Sequence, residues 1–434
     1  MSKYNTVERE LMFRNPSNEK FGTPSLQEVV APHIEAFNSI SEFGQGGQGL
    51  LDFAMKDIGT MSVFDNADND INLDPSGVTL GNKLTYWLED VKLHQPMVNE
   101  RDSTTLKRKT YPSECRERLN TYRGKLQGKL CWRVNNGPVQ SDMRDLGLVP
   151  VMVRSNRCNL HGMYPKELIA HHEESEEMGG YFVVNGIEKL VRLLIVPRRN
   201  HVTAIIRNSF QNRGPTYSTF GCAIRCARRD QTTLTNTIHY LNDGNVMFRF
   251  AWRKQEYLLP AMLVFKALVD TSDKEIFDAL CQGDVQNTFL TDRIELLLRS
   301  FKIYSLYTRE QCLSYIGEKF RVTMGLDEDL TDKEIGEELL KKLVFVHMDD
   351  NRDKFNLLAF MIRKLYSVVS GECGADNPDA PQHQEVLLGG HLYTMIMKEK
   401  IFDWLTGIKM QIRNDIRLNP SRVDFFNSKF LVLN

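Results

Sequence analysis

The spacing of apolar and polar residues divides the chain into segments of different periodicity. Leu26, Val29, Val30, Ile34 and Phe37 recur at helical spacing, which predicts an amphipathic helix with Ser25 as N-cap and that face buried. The glycine-rich stretch from Phe43 to Gly49 reads as a flexible loop, and the polar stretch from Asp65 to Gly77 as a turn or insertion. Between Tyr111 and Asn159, runs such as "YRGKL", "LCWRVNNGP" and "LVPVMVRS" mix apolar and β-branched residues with Gly, Pro and Asn, the pattern of strands in a sheet. In "EEMGGYFVVNGIEKLVR", Glu176 to Arg192, the pair Asn185-Gly186 separates two short apolar runs and suits a type I′ turn, with both arms expected to pack inside.

Strand signals continue through "VTAIIR" and "HYLNDGNVMFRFAWR", where Val246, Phe248, Phe250 and Trp252 alternate with Met247, Arg249, Ala251 and Arg253 after an Asp243-Gly244 turn. Near residue 270 the period becomes helical. Capping boxes at Ser272 with Glu275, Thr308 with Gln311 and Thr331 with Glu334 mark helix starts, and Leu339, Leu340 and Leu343 follow the last on one face. A helix near Asp353 to Ser370 offers Phe355, Leu358, Met361, Ile362 and Leu365 to a core and stops at Gly371. The loop "GECGADNPDAPQHQE" then precedes a long final helix from Val386 to Arg413. Strand-rich and helix-rich blocks are segregated, which predicts an α+β fold.

A length of 434 residues predicts two to four domains, and no apolar run approaches the ~18 residues that a membrane-spanning helix needs, so no membrane is expected among the partners. The first residues, MSKYNTVERE, lack the apolar core of a secretory signal, and the eight scattered cysteines are expected to be reduced. A net charge of −1 excludes a uniformly cationic surface and leaves local patches to be read one by one.

Self-contained chemistry finds little support. "GQGGQG" follows a helix, whereas a dinucleotide-binding loop follows a strand. Asp68, Asp70 and Asn72 alternate like calcium ligands, but Leu73 and Thr79 stand where a calcium loop needs Gly and Glu. Cys158, His161, His171 and His172 match no structural-zinc spacing and are expected to be a chance cluster; Cys222 and Cys226 do not form a C-x-x-C pair. No nucleophile elbow, HExxH or Walker loop occurs. The cations are more informative: Lys107, Arg108 and Lys109 precede Arg116, Arg118, Arg123 and Lys125, and Arg198, Arg199, Arg207 and Arg213 follow the hairpin. Such clusters suit phosphate-backbone contacts, or they are solvated faces paired with nearby glutamates.

The pattern Gly180-x-Phe182-Val183-Val184-Asn185-Gly186-x-Glu188-Lys189 resembles a signature of the second-largest (β-like) subunits of multisubunit DNA-directed RNA polymerases. "YPSECRERLNTYRGKL", "GLVPVMVRSNRCNL", "VPRRN", "NRGPTYSTFG" and "RKLYSVVSGECGADNPDAPQHQEVL" stand in that family's order, and the resemblance runs from Leu26 to Arg413. "PRRN" and "GECGADNPD" resemble the RNA polymerase I form.

The resemblance implies the amino-terminal portion of a polymerase I subunit, a nucleotidyltransferase component that transcribes ribosomal RNA genes in the nucleus and nucleolus. Residues 1–199 and 372–434 would form a mixed strand and helix protrusion, with an α+β lobe, 200–371, inserted in it. These domains would flank the DNA cleft, contact the largest and other polymerase I subunits, and dock an initiation-factor-like heterodimer on the lobe. Lys107, Arg108, Lys109, Arg198, Arg199 and Arg213 would contact nucleic-acid phosphates. Gly180, Phe182, Asn185, Gly186, Glu188 and Lys189 would be the structural signature, with Gly180, Asn185 and Gly186 constrained by backbone shape.

No catalytic residue or cofactor is expected in this chain. The family's magnesium is held by the largest subunit, and its zinc by a carboxy-terminal region beyond this sequence. Family members continue for several hundred residues, and the ending "RLNPSRVDFFNSKFLVLN" does not match the expected fork region, so the chain alone is not expected to polymerise RNA. The alternative expectation is a truncated interaction module that binds polymerase partners without binding DNA.

Overall fold

A computed structural model describes residues 24–42, 47–64, 83–98, 108–135, 137–325 and 330–418. In chain order its elements begin with α1 (Pro24–Asn38), α2 (Leu50–Ile58), β1 (Met61–Phe64), β2 (Lys83–Leu93), α3 (Pro112–Glu117), β3 (Arg123–Val134) and β4 (Gln140–Pro150). There follow α4 (Pro165–Ala170), β5 (Phe182–Val184), β6 (Ile187–Lys189), β7 (Leu194–Pro197), β8 (Val202–Ile206), a 3-10 turn (Asn208–Arg213), β9 (Tyr217–Ala227) and β10 (Thr233–Leu241). Next come β11 (Val246–Trp252), β12 (Gln255–Pro260), α5 (Ala261–Leu268), α6 (Asp273–Cys281), α7 (Thr288–Phe301), α8 (Arg309–Met324) and α9 (Asp332–Leu343). The last described elements are α10 (Asn351–Ser370), β13 (Gln384–Leu387) and α11 (Gly389–Leu418).

The class is α+β, as the segregated periodicities predict. Residues 1–194 with 387–434 form one compact unit, and residues 195–386 a second. The calcium-like positions Asp68, Asp70, Asn72, Leu73 and Thr79, part of the glycine-rich loop and the tail from residue 419 lie outside the described residues.

In the first unit β1, β2, β3 and β4 form an antiparallel sheet in chain order. Side chains alternate along β3: Gly124, Leu126, Gly128 and Leu130 turn into the core, while Arg123 and Lys125 face out. The inner face is small where backbone approaches, since a Cβ on Gly124 would lie 2.1 Å from the His94 carbonyl oxygen. The core combines Tyr86, Leu88, Leu126 and Leu130 with Leu51 of α2 and with Ile401, Leu405 and Ile408 of α11. Tyr86 satisfies its buried hydroxyl by donating to the Leu405 carbonyl at 2.8 Å.

Two expectations for this unit need correction. Ser25 lies inside α1, which begins at Pro24, and the face expected to be buried is only partly so: Ala36 and Phe37 are buried, whereas Leu26 and Val29 are exposed. The C-terminal half of α1 reaches the core, where Ile34 packs partly buried and Phe37 meets Phe182 edge-on at 5.6 Å. The final helix begins at Gly389 rather than Val386, because Gln384–Leu387 pairs as a strand with β7. Gly390 lets α11 approach α1, since a Cβ there would lie 2.0 Å from the Ala36 carbonyl oxygen.

In the second unit β8 to β12 form a five-stranded antiparallel meander. Val246, Phe248 and Phe250 are buried on β11, and Gly244 adopts φ 94° at the preceding turn. Phe355, Leu358, Met361, Ile362 and Leu365 of α10 are all buried, and Gly371 ends that helix in the left-handed region at φ 85°. Thr308 and Thr331 make complete capping boxes. Ser272 caps α6 by accepting from the Glu275 amide, at 3.2 Å, in one direction only. Lys364 lies 2.6 Å from Asp376, which bonds the Ala204 amide at 2.8 Å, so the loop after Gly371 is tied to β8.

All eight cysteines are free thiols. Cys158 is buried against the Tyr122 hydroxyl at 3.3 Å, His171 stacks on Tyr111 at 4.0 Å, and no described group of three or more His, Cys, Asp or Glu is placed to hold a metal. No described helix is long and apolar enough to cross a membrane.

Candidate nucleic-acid interface

The hairpin that carries the signature is built as its turn residues dictate. Val184 pairs with Ile187, and both Asn185 (φ 53°) and Gly186 (φ 77°) have the positive φ that a type I′ turn requires. The turn is docked on the strand entrance beside it. The Asn185 amide donates to Thr121 Oγ1 at 3.1 Å, the Gly186 amide to the Asn120 carbonyl at 2.9 Å and the Tyr122 amide to the Val183 carbonyl at 2.9 Å. A Cβ on Gly186 would sit 2.8 Å from the Leu119 Cα, and one on Gly180 2.3 Å from Val30 Cγ1, so both glycines serve close approach as well as φ.

The two arms differ, against the expectation that both pack inside. Phe182 and Val183 are buried, but Ile187 is 60% exposed and Leu190 73% exposed. The second arm pairs on one edge only and is fixed by its polar residue: Arg116 Nε donates to Glu188 Oε1 at 2.8 Å. The same guanidinium bonds Glu173 at 2.8 Å and Tyr181, and lies 3.7 Å from Glu177. Arg116 is therefore a structural hub. Lys189, opposite Phe182 in the register, is exposed.

The expected phosphate contacts have varied surroundings. Lys107 lies outside the described residues. In the first unit Arg108 pairs with Glu114, and Lys109 is exposed beside a backbone bridge to Met97. In the second unit Arg198 is exposed, with no ion pair among the described residues, and its amide donates to the His383 carbonyl at 2.8 Å. Arg199 Nε lies 3.0 Å from Glu385, which also accepts from Arg225, so two guanidinium groups share one carboxylate. Burial alone would raise the Glu385 pKa, and the bonds from Arg225 and Arg199 outweigh it to hold the carboxyl below its ordinary value. Arg213 lies 2.9 Å from Glu256, which is shared with Arg249. Of these paired cations Arg108 is the most exposed, so its pair with Glu114 is worth at most about 1 kcal/mol and a phosphate can compete for it.

The bond from Arg249, offset in part by burial and reinforced by Arg213, pulls the Glu256 carboxyl down to about 2. Beside this cluster His239 is fully buried between Phe210, at 4.6 Å, and Tyr217, at 6.0 Å, with neither ring nitrogen hydrogen-bonded. Burial first, then Arg213 and Arg249, depress its pKa to about 4. Because the folded-state value lies below the ordinary one, the unfolded chain takes the proton first as pH falls, and the second unit loses stability between about pH 6.5 and 4. The loss reaches roughly 3 kcal/mol from this group, at 1.36 kcal/mol per unit. Comparing urea midpoints of that unit's transition at pH 7 and 4.5 checks this: His239→Leu should flatten the dependence, and an unchanged slope contradicts it.

Of the cations on the outward face of the first unit's sheet, sequence reasoning singles out Arg123 and Lys125 but not Lys92, Lys129 or Arg133. Lys129 and Arg133 on β3 and Lys92 on β2 share that face with Arg123 and Lys125. Their signal is the alternation in "RGKLQGKLCWRV", where Gly124, Leu126, Gly128, Leu130, Trp132 and Val134 alternate with Arg123, Lys125, Gln127, Lys129, Cys131 and Arg133.

A docked Asn-Gly hairpin in a mixed α+β unit, with a second α+β unit inserted, agrees with what the sequence profile shows. The chain belongs to the RNA polymerase beta subunit family, whose profile matches residues 28–432. It is similar to the probable DNA-directed RNA polymerase I subunit RPA2 of Schizosaccharomyces pombe, 54% identical over 428 residues, which covers 99% of this chain and 36% of that protein. Similarity to DNA-directed RNA polymerase I subunit RPA135 of Saccharomyces cerevisiae is 54% over 437 residues, 99% of this chain and 36% of that protein. The human DNA-directed RNA polymerase I subunit RPA2 is 37% identical over 390 residues, 89% of this chain and 32% of that protein. The chain thus spans about a third of the length of these relatives, and their names agree with the polymerase I character of "PRRN" and "GECGADNPD".

Proposed function

We propose that this chain acts as part of the second-largest subunit of a DNA-directed RNA polymerase I that transcribes ribosomal RNA genes in the nucleolus. The first unit is the protrusion and the second the lobe; together they contact nucleic-acid backbone beside the DNA cleft. The largest subunit supplies the catalytic magnesium, the other subunits assemble with this one, and an initiation-factor-like heterodimer docks on the lobe. The observation that carries the reading is 54% identity to a protein named as an RNA polymerase I subunit over 99% of this chain. The catalytic steps belong to the assembled enzyme, and this chain contributes electrostatic guidance and docking.

The test is recovery of partners by the tagged 434-residue chain from nuclear extract, together with DNA affinity measured across a salt series. Polymerase I subunits should be retained, and affinity should fall steeply with salt while depending little on base sequence. Recovery of no polymerase subunit overturns the reading. The engagement of Arg108, Arg199 and Arg213 by carboxylates favours a second reading, an interaction module without DNA affinity. Retention of polymerase subunits with no measurable DNA binding would select it.

A further inference from the structure

We propose that the outward face of the β2–β3–β4 sheet binds single-stranded nucleic acid, with Lys92, Arg123, Lys129 and Arg133 on backbone phosphates and Trp87 stacked on a base. The proposal rests on the reading that this chain contacts nucleic acid, and it assigns the surface and the strand state that such contact uses.

Register defines the face. Arg123, Lys125, Gln127, Lys129, Cys131 and Arg133 are the outward positions of β3, Cys131 itself being buried, and none is acidic. On a strand, alternate residues lie ~6.8 Å apart, so Arg123 to Arg133 forms a cationic row about 34 Å long. Across the pairing, Trp87 stands opposite Cys131 toward the Arg133 end of the row, Glu89 opposite Lys129, and Lys92 opposite Gln127. On the other flank Asp145 stands opposite Gln127, and the exposed Met143 and Leu148 stand opposite Lys129 and Lys125.

The opposing acids are occupied in ways that leave most of the row free. Asp145 takes Lys125 and the Gln127 amide, each at 2.7 Å, and those bonds hold its carboxyl below the ordinary value. Glu89 accepts from Trp87 Nε1 at 2.6 Å, which fixes the edge of the indole. Lys92, Arg123, Lys129 and Arg133 form no ion pair among the described residues. An ordinary solvated sheet face would intersperse both signs along its central strand. A positive row flanked by an aromatic side chain between Lys129 and Arg133 is instead complementary to a polyanion with accessible base faces: cations track the phosphates, and the indole needs an unpaired base.

The test uses the full chain and labelled oligonucleotides of about 20 nucleotides, as single-stranded DNA, as RNA of the same sequence and as duplex DNA, with anisotropy read across a salt series. Lys129→Gln with Arg133→Gln, both surface changes, should weaken single-strand binding about tenfold and reduce the salt slope by roughly 1.4, the release expected for two phosphate contacts. Trp87→Ala should weaken single-strand binding by about tenfold while leaving duplex binding unchanged, and Trp87→Phe should restore most of it. Tight binding of either DNA or RNA strands supports the surface, and their ratio identifies the sugar it prefers. The proposal is overturned if the wild-type chain binds no single strand, or if the double variant stays within about twofold of wild type. It is also overturned if duplex binds as tightly as single strand with Trp87→Ala silent. A chain that retains polymerase subunits but shows one of these outcomes removes the surface and leaves the polymerase reading standing; a chain that retains none removes that reading.

Discussion

Gly317→Ala is expected to destabilise the second unit by about 3 kcal/mol, although alanine is the better helix former by about 1 kcal/mol. Gly317 lies within α8 and Gly336 within α9, and neither has a positive φ that would call for glycine. What calls for it is the neighbouring backbone. A Cβ on Gly317 would sit 1.8 Å from the Asp332 carbonyl oxygen, and one on Gly336 2.4 Å from the Leu313 carbonyl oxygen. The obstacle is main chain in both cases, so no side chain can rotate away and one helix must move as a body. Leu313, Ile316, Leu339 and Leu340 are buried beneath the crossing, so such movement opens voids in the core. It also strains the contact of Arg321 with Asp332 at 2.7 Å. The urea midpoint of the unit measures the effect. A single separation relieves both clashes, so Gly317→Ala with Gly336→Ala should cost less than the sum of the two. Gly374→Ala, where nothing lies within 4 Å of the added carbon, is the control and should stay within about 0.5 kcal/mol. A loss below about 1 kcal/mol for Gly317→Ala would show that the helices can part without disturbing the core.

These glycines mark the limit of what periodicity reveals. α10 was legible because its apolar residues follow one stripe and Gly371 ends it, and β11 because its inward residues alternate after a glycine turn. In α5 all eight residues, AMLVFKAL, are buried, so no polar face exists to produce a period. β2 was missed for a different reason: the register shifts between Glu89 and Lys92, around Asp90 at φ 49°, and the alternation loses phase within the strand. The cations were ranked by local clustering, but what decides their availability is a carboxylate far along the chain. Arg199 meets Glu385, 186 residues away, and Arg213 meets Glu256. Lys129 and Arg133 lack such a partner among the described residues, and nothing local distinguishes them from the cations that have one. The turn chemistry of Asn185-Gly186 was readable from two residues, whereas the exposure of the second arm depends on which elements cover it.

Arg116→Met should destabilise the first unit by about 3–5 kcal/mol, a loss that its place in a run of cations does not suggest. Glu173, whose side chain is 1% exposed, accepts from the Ser113 amide at 2.7 Å and from Arg116, its one cationic partner among the described residues. Glu177 is nearly as buried; burial, which outweighs the bonds from the Gly179 amide and Tyr181, already raises its pKa, and Glu173 raises it further. Removing the guanidinium leaves two carboxylates close together in a poorly solvated site and frees Glu188, which anchors the hairpin's second arm. Lysine at 116 would keep the charge but not the fork that reaches Glu173, Tyr181 and Glu188 together, and should recover only part of the loss. Glu173→Gln added to Arg116→Met should restore stability, because it removes one of the uncompensated charges.

The pH dependence separates this account from lost packing. In Arg116→Met the folded-state value of Glu177, already raised by burial, loses the offset from the guanidinium and rises further, so as pH rises the unfolded chain releases its proton first and the fold is penalised more than in the wild type. The variant should therefore regain more stability than the wild type as pH falls from about 7 to 5. Amide exchange at Asn185 and Gly186 should quicken at pH 7 and slow again at pH 5. A deficit that stays constant over that range would assign the loss to the aliphatic stem of Arg116 and not to its charge.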